Sequence, residues 1–278
     1  MMVKVQELSD HLSLTPEGIW TSQRVDAIHW PEEGHSVTQE CDKDSIWFQH
    51  RNHCLLEILK LFPPRGPLLD IGGGNGSVSE ALLQAGHETL LLEPTLTGIR
   101  HAYKRKIQNL IHASFEEAHF KEGSLTAAGL FDVLEHIEQD VNFLKKIRET
   151  LTSQGMLYLT VPAHPMLWSS KDEYVGHYRR YTPNHLKQVL NAAGFDLSYF
   201  TYYFSILFLP AILIKTLPRK LGFKKTYSTE THKKEHSAMS SSVFRMMAAP
   251  FLEWEIHRIR NGRTIPFGYS CLAVAQKI

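Results

Sequence analysis

A cluster of glycines between an apolar run and an amphipathic segment is the feature that most constrains the fold. Residues 68–83 read LLDIGGGNGSVSEALL. The run LLDI is apolar like a buried strand, and the segment after the glycines has the apolar spacing of a helix. Glycine tolerates positive φ and lets the backbone approach a ligand closely. The pattern therefore predicts a binding site where a strand feeds a helix at the carboxyl edge of a sheet.

The chain continues with an alternation of strands and helices. Between residues 67 and 163, short apolar runs alternate with amphipathic segments, which predicts strand-helix-strand units and a mainly parallel sheet. Thr95 is predicted to cap one helix, and Gly86 and Gly155 are predicted to end two others. The sequence therefore predicts an α/β fold.

The flanking segments predict the domain organisation. Residues 1–43 form an N-terminal extension, and residues 44–278 form one domain that begins with a lead-in helix. A further helix is predicted between Thr182 as its N-cap and Gly194 at its end. Residues 205–262 are predicted to be a helical insertion before the last strand.

Two phosphate-binding interpretations of the glycine turn fit the residues poorly. A triphosphate loop requires Gly-x-x-x-x-Gly-Lys-Ser/Thr, but Ser77 stands five residues after Gly72 and no lysine follows. A dinucleotide loop requires a third glycine where Ser77 stands, although Gly72 and Gly74 fit its first two positions. The triphosphate interpretation fails, and the dinucleotide interpretation stays open as an alternative.

The motif Asp70-x-Gly72-x-Gly74-x-Gly76 resembles the first motif of class I S-adenosylmethionine-dependent methyltransferases. The resemblance implies a Rossmann-like, mostly parallel seven-stranded sheet with helices on both faces. It also implies that these four residues bind the cofactor. Glu93 ends the second predicted strand, where its carboxylate is expected to accept hydrogen bonds from both ribose hydroxyls.

Later segments extend the resemblance over most of the chain. The stretch ASFEEAHF looks like the adenine-contacting segment of the family, which implies that Ser114 and the backbone of Phe115 bind the adenine. Many relatives carry an aspartate where Ser114 stands. The stretch LFDVLEHIEQD resembles the fourth-strand motif of a bacterial branch acting on small molecules and lipids, which implies that Asp132 contacts the methionine part and His136 the substrate mouth.

Polar residues near the expected substrate mouth are candidates for the chemistry. His136 and His177 are the predicted catalytic residues, because an imidazole can accept a proton near neutral pH. No metal site is predicted, since spacing identifies no third ligand beside Glu135 and His136. Aromatic and cationic side chains precede the capped helix, and the predicted substrate-binding residues are Tyr178, Arg179, Arg180 and Tyr181.

Composition limits the classes of partner and compartment. Thirty basic and 29 acidic residues give a formal net charge of +1, which argues against a nucleic-acid partner. Three scattered cysteines show neither a zinc spacing nor a disulfide framework. The first residues lack an apolar run of signal-peptide length, so a cytoplasmic location is expected.

An uncharged stretch near the carboxyl end offers a hint about the substrate. Residues 197–214 read LSYFTYYFSILFLPAILI, and basic residues follow from Lys215 onward. One interpretation is a sheet strand followed by a core or lid helix. The other is an interfacial helix that contacts a membrane peripherally and lets the protein take a lipid-linked acceptor.

The expected function is methyl transfer from S-adenosylmethionine to an unidentified small-molecule or lipid-like acceptor. The sulfonium already activates the methyl group, so holding the acceptor in line is the main task. A non-catalytic S-adenosylmethionine-binding module and a dinucleotide-dependent oxidoreductase are the alternatives. The oligomeric state is not predicted.

Overall fold

A computed structural model describes residues 4–22, 45–220, 227–228, 230–231 and 241–278. The strands β1 to β9 are Ser13–Leu14, Trp20–Thr21, Leu68–Ile71, Thr89–Glu93, Leu110–His112, Leu125–Phe131, Leu151–Pro162, Phe195–Tyr203 and Ser270–Lys277. The helices α1 to α10 are Val5–Leu8, Ile46–Leu61, Ser77–Gln84, Leu96–Lys104, Asp140–Thr150, Ser170–Tyr174, Pro183–Ala192, Ser205–Ala211, Leu217–Lys220 and Ser242–Arg260. Short 3₁₀ turns span Leu134–His136 and Pro165–Leu167, and a π-helical turn spans Ile212–Thr216.

One mixed sheet contains all nine strands of the described residues, in the order β1-β2-β5-β4-β3-β6-β7-β9-β8. Strands β3 to β8 run parallel, and β9 runs antiparallel between β7 and β8. The α/β prediction is confirmed. Nine strands are present where seven were expected, because the two-residue strands β1 and β2 extend the β5 edge. The strand order reverses between β3 and β6, which is where open α/β sheets bind their ligands.

The central strands are buried on both faces by helices. Every residue of β3 and β4 is buried, as expected for parallel strands covered on two sides. The predicted caps are confirmed, since Thr95 Oγ1 accepts from Gly98 N at 3.2 Å and Thr182 Oγ1 accepts from His185 N at 3.2 Å. Cys54 and Cys271 are buried free thiols, and Cys41 lies outside the described residues.

One helix boundary differs from the prediction. Helix α5 ends at Thr150 rather than near Gly155, and β7 starts at Leu151. Leu151 is fully buried and pairs with Leu125, and the register between β6 and β7 shifts just after that pair. Leu151 therefore belongs to the sheet rather than to the helix before it.

A buried carboxylate attaches the carboxyl-terminal helices to the sheet. Glu255 on α10 accepts from Phe204 N at 2.9 Å, from Ser205 N at 2.6 Å and from Ser205 Oγ at 2.5 Å. His50 Nε2 on α2 lies 2.7 Å from the same carboxylate. Residues 197–214 continue β8 and then form α8 and part of the π-helical turn. Among the described residues, no helix combines the length and hydropathy needed to cross a bilayer.

We expect Glu255→Ala to lower the free energy of unfolding by about 3 kcal/mol, because it leaves buried donors without their acceptor. Urea unfolding followed by circular dichroism measures the change. Glu253→Ala is the matched control, since Glu253 is exposed on the same helix and should cost less than about 0.5 kcal/mol. Equal losses in the two variants would contradict a structural role for Glu255.

Candidate functional site

The glycine turn lies at the carboxyl end of β3 and opens helix α3. Gly72, Gly74 and Gly76 have φ values of 68°, 56° and 81°, a region that L side chains rarely adopt. Gly74 N donates to Glu93 Oε2 at 2.9 Å, so the turn is held against the end of β4. The structure thus brings the predicted turn and the predicted acid together at one edge of the sheet.

Two buried acids support this turn. Asp70 Oδ2 accepts from Ser79 Oγ on α3 at 2.6 Å, and burial raises the pKa of Asp70 to about 6. Glu93 Oε1 accepts from Thr95 N at 2.8 Å, and burial raises the pKa of Glu93 as well. Both carboxyl groups are almost inaccessible to water, and these hydrogen bonds fix their orientations.

The lead-in helix α2 packs over the turn and over the end of β6. Arg51 is buried and its NH1 group donates to Asp132 Oδ2 at 2.9 Å. Asp132 Oδ1 also accepts from Thr160 Oγ1 at 3.0 Å, and Asp132 itself adopts a φ of 61°. Asn52 Nδ2 donates to the Ser77 carbonyl at 3.1 Å. These contacts fix the side chain of Asp132 beside the glycine turn.

Ser114 and Phe115 follow β5 at the same edge. Ser114 N donates to Glu117 Oε2 at 2.9 Å, and Glu117 N donates to Ser114 Oγ at 3.2 Å. The Phe115 ring is buried against Phe120 and Phe143. The structure gives both residues local supporting contacts, and their contact with adenine stays a prediction.

Three metal- or proton-binding side chains meet beyond the end of β6. Glu135, His136 and His177 each offer one ligand atom, and these atoms lie within 4.8 Å of one another. His177 Nε2 lies 3.8 Å from Glu135 Oε1, and the two imidazoles cross edge to face with centroids 4.6 Å apart. Glu135 is 1% exposed, and no described residue forms a hydrogen bond with its Oε2 atom.

The protonation of this cluster is set by its burial. Burial, and then the charge of Asp132, raise the pKa of Glu135 well above its usual range. Burial and the neighbouring His177 lower the pKa of His136 to about 3, so His136 is neutral at physiological pH. A neutral imidazole can bind a cation, whereas a pKa this low makes His136 a weak base.

Asp172 positions His177 from behind. Its Oδ1 atom accepts from His177 Nδ1 at 2.9 Å and from Arg180 Nε at 2.7 Å. Its Oδ2 atom accepts from Ser169 N at 2.8 Å and from Ser169 Oγ at 3.0 Å, which completes a capping box at the start of α6. Since Nδ1 of His177 faces Asp172, the Nε2 atom faces Glu135.

The four predicted substrate-binding residues differ in exposure. Tyr178 is 53% exposed, whereas Arg180 and Tyr181 are 3% and 0% exposed. Arg180 donates to Asp172 and to the Ala163 carbonyl, and Tyr181 donates to Asp140 Oδ2 at 3.0 Å. Arg179 also pairs with Asp140, at 2.6 Å. Arg180 and Tyr181 therefore form contacts inside the protein. Direct contact of any of the four residues with a substrate stays a prediction.

Sequence reasoning missed two residues on which this arrangement depends. Asp172 carried one visible signal, the Ser169-x-x-Asp172 capping box that begins α6. Arg51 carried none, because only the fold brings it to Asp132, 81 residues later.

A family model described as a methyltransferase domain matches residues 47–199. The chain belongs to this methyltransferase domain family. Its fold is that of the class I S-adenosylmethionine-dependent methyltransferases, and the matched range contains the glycine turn, Glu93 and the Glu135–His136–His177 cluster. No curated protein matches the sequence.

Solved structures share the fold of this methyltransferase at low sequence identity. A chain in the complex between the Haloferax volcanii Trm112 methyltransferase activator and a methyltransferase has a TM-score of 0.57 at 12% identity, covering 90% of this chain and 99% of that one. A methyltransferase from Thermotoga maritima has a TM-score of 0.51 at 17% identity, with coverages of 88% and 97%. Phosphoethanolamine N-methyltransferase 2 from Haemonchus contortus has a TM-score of 0.54 at 18% identity, with coverages of 88% and 57%.

We expect the acid limb of the stability profile to depend on Asp172. Burial alone would raise the pKa of Asp172, but the hydrogen bond from His177 and the charge of Arg180 outweigh burial and lower it. A carboxyl with a depressed folded pKa contributes stability above its unfolded pKa of about 3.9, and this contribution is lost as pH falls below that value.

Urea unfolding at a series of pH values measures the effect. Asp172→Asn should lower the free energy of unfolding at pH 7 by about 3 kcal/mol, because Arg180 loses its buried partner. The difference from the parent protein should shrink as the pH falls below about 4. Glu173→Gln, at the exposed neighbouring position, should behave like the parent. A pH-independent loss in Asp172→Asn would refute the assignment.

Proposed function

We propose that this methyltransferase transfers the methyl group of S-adenosylmethionine directly to a small-molecule or lipid-like acceptor. The observation that carries the proposal is the meeting of the glycine turn, Glu93, Asp132 and the histidine cluster at the switch point of the sheet. In the reaction, the acceptor lone pair forms a bond to the methyl carbon while the carbon–sulfur bond breaks. The sulfur keeps the bonding electrons, and S-adenosylhomocysteine leaves.

The residues at the turn fit this cofactor. A neutral adenosine and a positively charged sulfonium need close backbone approach and acidic neighbours rather than a phosphate-binding lysine. We assign the turn of Gly72, Gly74 and Gly76 and the acids Asp70, Glu93 and Asp132 to this purpose. Ser114 and the backbone of Phe115 follow the neighbouring strand β5, and we assign them to the adenine.

We expect Gly74→Val to weaken the binding of S-adenosylhomocysteine at least about tenfold, because a branched side chain strains a left-handed residue in the turn assigned to the cofactor. Titration calorimetry with S-adenosylmethionine, S-adenosylhomocysteine and NAD measures the affinities. Gly86→Val is the matched control, since Gly86 also has a positive φ, of 86°, and its Cβ would meet nothing within 4 Å.

The same titrations decide between the alternatives. Retained affinity in Gly74→Val would refute the cofactor assignment. Binding of NAD alone would favour an oxidoreductase. Tight binding of S-adenosylmethionine without transfer to any acceptor, in a protein that keeps the histidine cluster, would favour a non-catalytic binding module.

We assign activation of the acceptor to His136 and His177. His136 is neutral, and the Nδ1 atom of His177 is engaged by Asp172, so His177 presents Nε2 toward the cluster. The Nε2 atom of His177 can take the proton of an acceptor, and either imidazole can bind a cation that lowers the acceptor pKa. Tyr178 and Arg179 directly follow His177 in the chain, and we assign them to contacts with the acceptor itself.

The insertion between β8 and β9 supports a hydrophobic acceptor. Among the residues of the insertion that the structure describes, nine large apolar side chains are exposed, and we call them the apolar surface: Leu209, Leu213, Ile214, Leu217, Val243, Met246, Met247, Phe251 and Trp254. The exposed fractions of Ile214 and Met246 are 71% and 73%. Many large exposed apolar side chains in one segment favour contact with a partner or a lipid.

The apolar surface is attached to the edge of the sheet that carries the site. Thr216 Oγ1 donates to the Met166 carbonyl at 3.0 Å, just past the carboxyl end of β7. In the sequence, residues 215–234 contain seven basic residues and one acidic residue. Apolar side chains next to a basic segment suit an anionic lipid surface. We propose that the protein takes its acceptor from such a surface without crossing it.

We expect the protein to sediment with vesicles of phosphatidylcholine and phosphatidylglycerol and only weakly with phosphatidylcholine alone. Combining Leu213→Ser, Ile214→Ser, Met246→Ser and Met247→Ser should lower the partition coefficient at least about tenfold, because apolar burial is lost. The control changes two exposed leucines outside the insertion, Leu14→Ser and Leu83→Ser. Equal binding by the two variants, or equal binding to both kinds of vesicle, would overturn the proposal.

A further inference from the structure

The fold supplies a third ligand that the sequence spacing did not reveal. Glu135 and His136 are adjacent in the chain, and His177 reaches them from a segment 41 residues later. We propose that Glu135, His136 and His177 bind one divalent first-row transition-metal cation. The inference deepens the proposed function and rests on it in one respect. A cation bound by these three residues would activate the acceptor.

The donor set and its spacing suit such a cation. Two imidazoles and one carboxylate form the ligand set of many zinc sites that keep an open coordination position. Tetrahedral ligands at about 2.1 Å from zinc lie about 3.4 Å apart. His177 Nε2 and Glu135 Oε1 are 3.8 Å apart, and all three ligand atoms lie within 4.8 Å of one another. Small side-chain rotations therefore bring the atoms to binding distance.

The groups behind the ligands already fix the orientation that metal binding requires. A metal-binding histidine commonly donates its second ring nitrogen to a carboxylate or a backbone carbonyl. His177 does so to Asp172 at 2.9 Å. Asp172 is in turn held by Arg180 and Ser169. The supporting groups are thus in place around the cluster.

The electrostatics of the cluster favour a cation as well. Among the described residues, the buried Oε2 atom of Glu135 has no hydrogen-bond partner, which is costly for a carboxyl group. The charges of Asp132 and Asp172 act against ionisation of Glu135, and the guanidinium of Arg180, which is paired with Asp172, offsets part of this effect. A divalent cation would supply a partner for Oε2 and further positive charge.

The location of the cluster suggests what the cation would do. Asp132 stands three residues before Glu135, beside the glycine turn, so the cluster lies next to the region assigned to the cofactor. Three protein ligands leave a coordination position for an oxygen of the acceptor. A hydroxyl group bound there would lose its proton to water more readily and would be held near the methyl group.

The test uses the full chain after treatment with a chelator, and titration calorimetry with zinc chloride. We expect one equivalent of zinc to bind, and cobalt(II) to give the absorption bands of a site with nitrogen ligands. Glu135→Gln, His136→Asn and His177→Asn should each weaken zinc binding at least about tenfold, because each removes one ligand. His53→Asn, at an exposed position on α2, is the matched control and should bind like the parent.

Every outcome is decisive when S-adenosylhomocysteine is titrated into the same samples. Failure of the parent protein to bind one equivalent of zinc, or zinc binding unchanged in all three ligand variants, would overturn the metal site. Retained binding of S-adenosylhomocysteine would show that the cofactor assignment survives that failure. Zinc binding without cofactor binding would refute the proposed function alone. Glu135→Gln nearly preserves side-chain shape, so circular dichroism separates a lost ligand from a lost fold.

Discussion

The buried carboxylate of Asp172 is the constraint on which the site edge of this methyltransferase depends. It accepts hydrogen bonds from Ser169, His177 and Arg180, and Arg180 also donates to the Ala163 carbonyl beyond β7 and to the Tyr269 hydroxyl before β9. A buried ionised group is tolerated only when its partners are complete. The segment from Ser169 to Arg180 is therefore attached to the sheet by one set of mutually dependent contacts, and His177 takes its orientation from them.

A second buried carboxylate with several hydrogen-bond donors lies where the segment between β8 and β9 meets the sheet. Glu255 accepts from the backbone at the start of α8 and from His50, and it is fully buried. Phe204, at the junction of β8 and α8, has a φ of 57°, and its backbone N donates to the Glu255 carboxylate. The chain therefore changes direction at the residue that Glu255 binds. Trp47 stacks on the Phe204 ring with centroids 4.2 Å apart. Two buried acids, Asp172 and Glu255, thus attach the segments that follow β7 and β8 to the sheet.

Local signals in the sequence were sufficient for most of the sheet. The glycine turn, the Thr95 and Thr182 caps and the apolar strands depend on neighbours within a few residues, and the structure has all of them. The predicted helix end at Gly155 was wrong because Leu151 pairs with Leu125 in the sheet, which periodicity does not encode. The histidine cluster was incomplete for a similar reason, since His177 reaches Glu135 only through the fold. The strands β1 and β2 are too short to leave a periodic pattern.

The charges of the reactants explain why the proposed reaction would benefit from a cation in this buried site. Methyl transfer from a sulfonium to an anionic acceptor joins opposite charges, so a water-poor site strengthens their attraction. The difficulty is to form the anion there, because burial disfavours it. Glu135 shows this effect, because burial raises its pKa and it lies where the acceptor is proposed to bind. A cation held by Glu135, His136 and His177 would stabilise both the carboxylate and the acceptor anion, which joins the unusual burial of Glu135 to the chemistry proposed for the site.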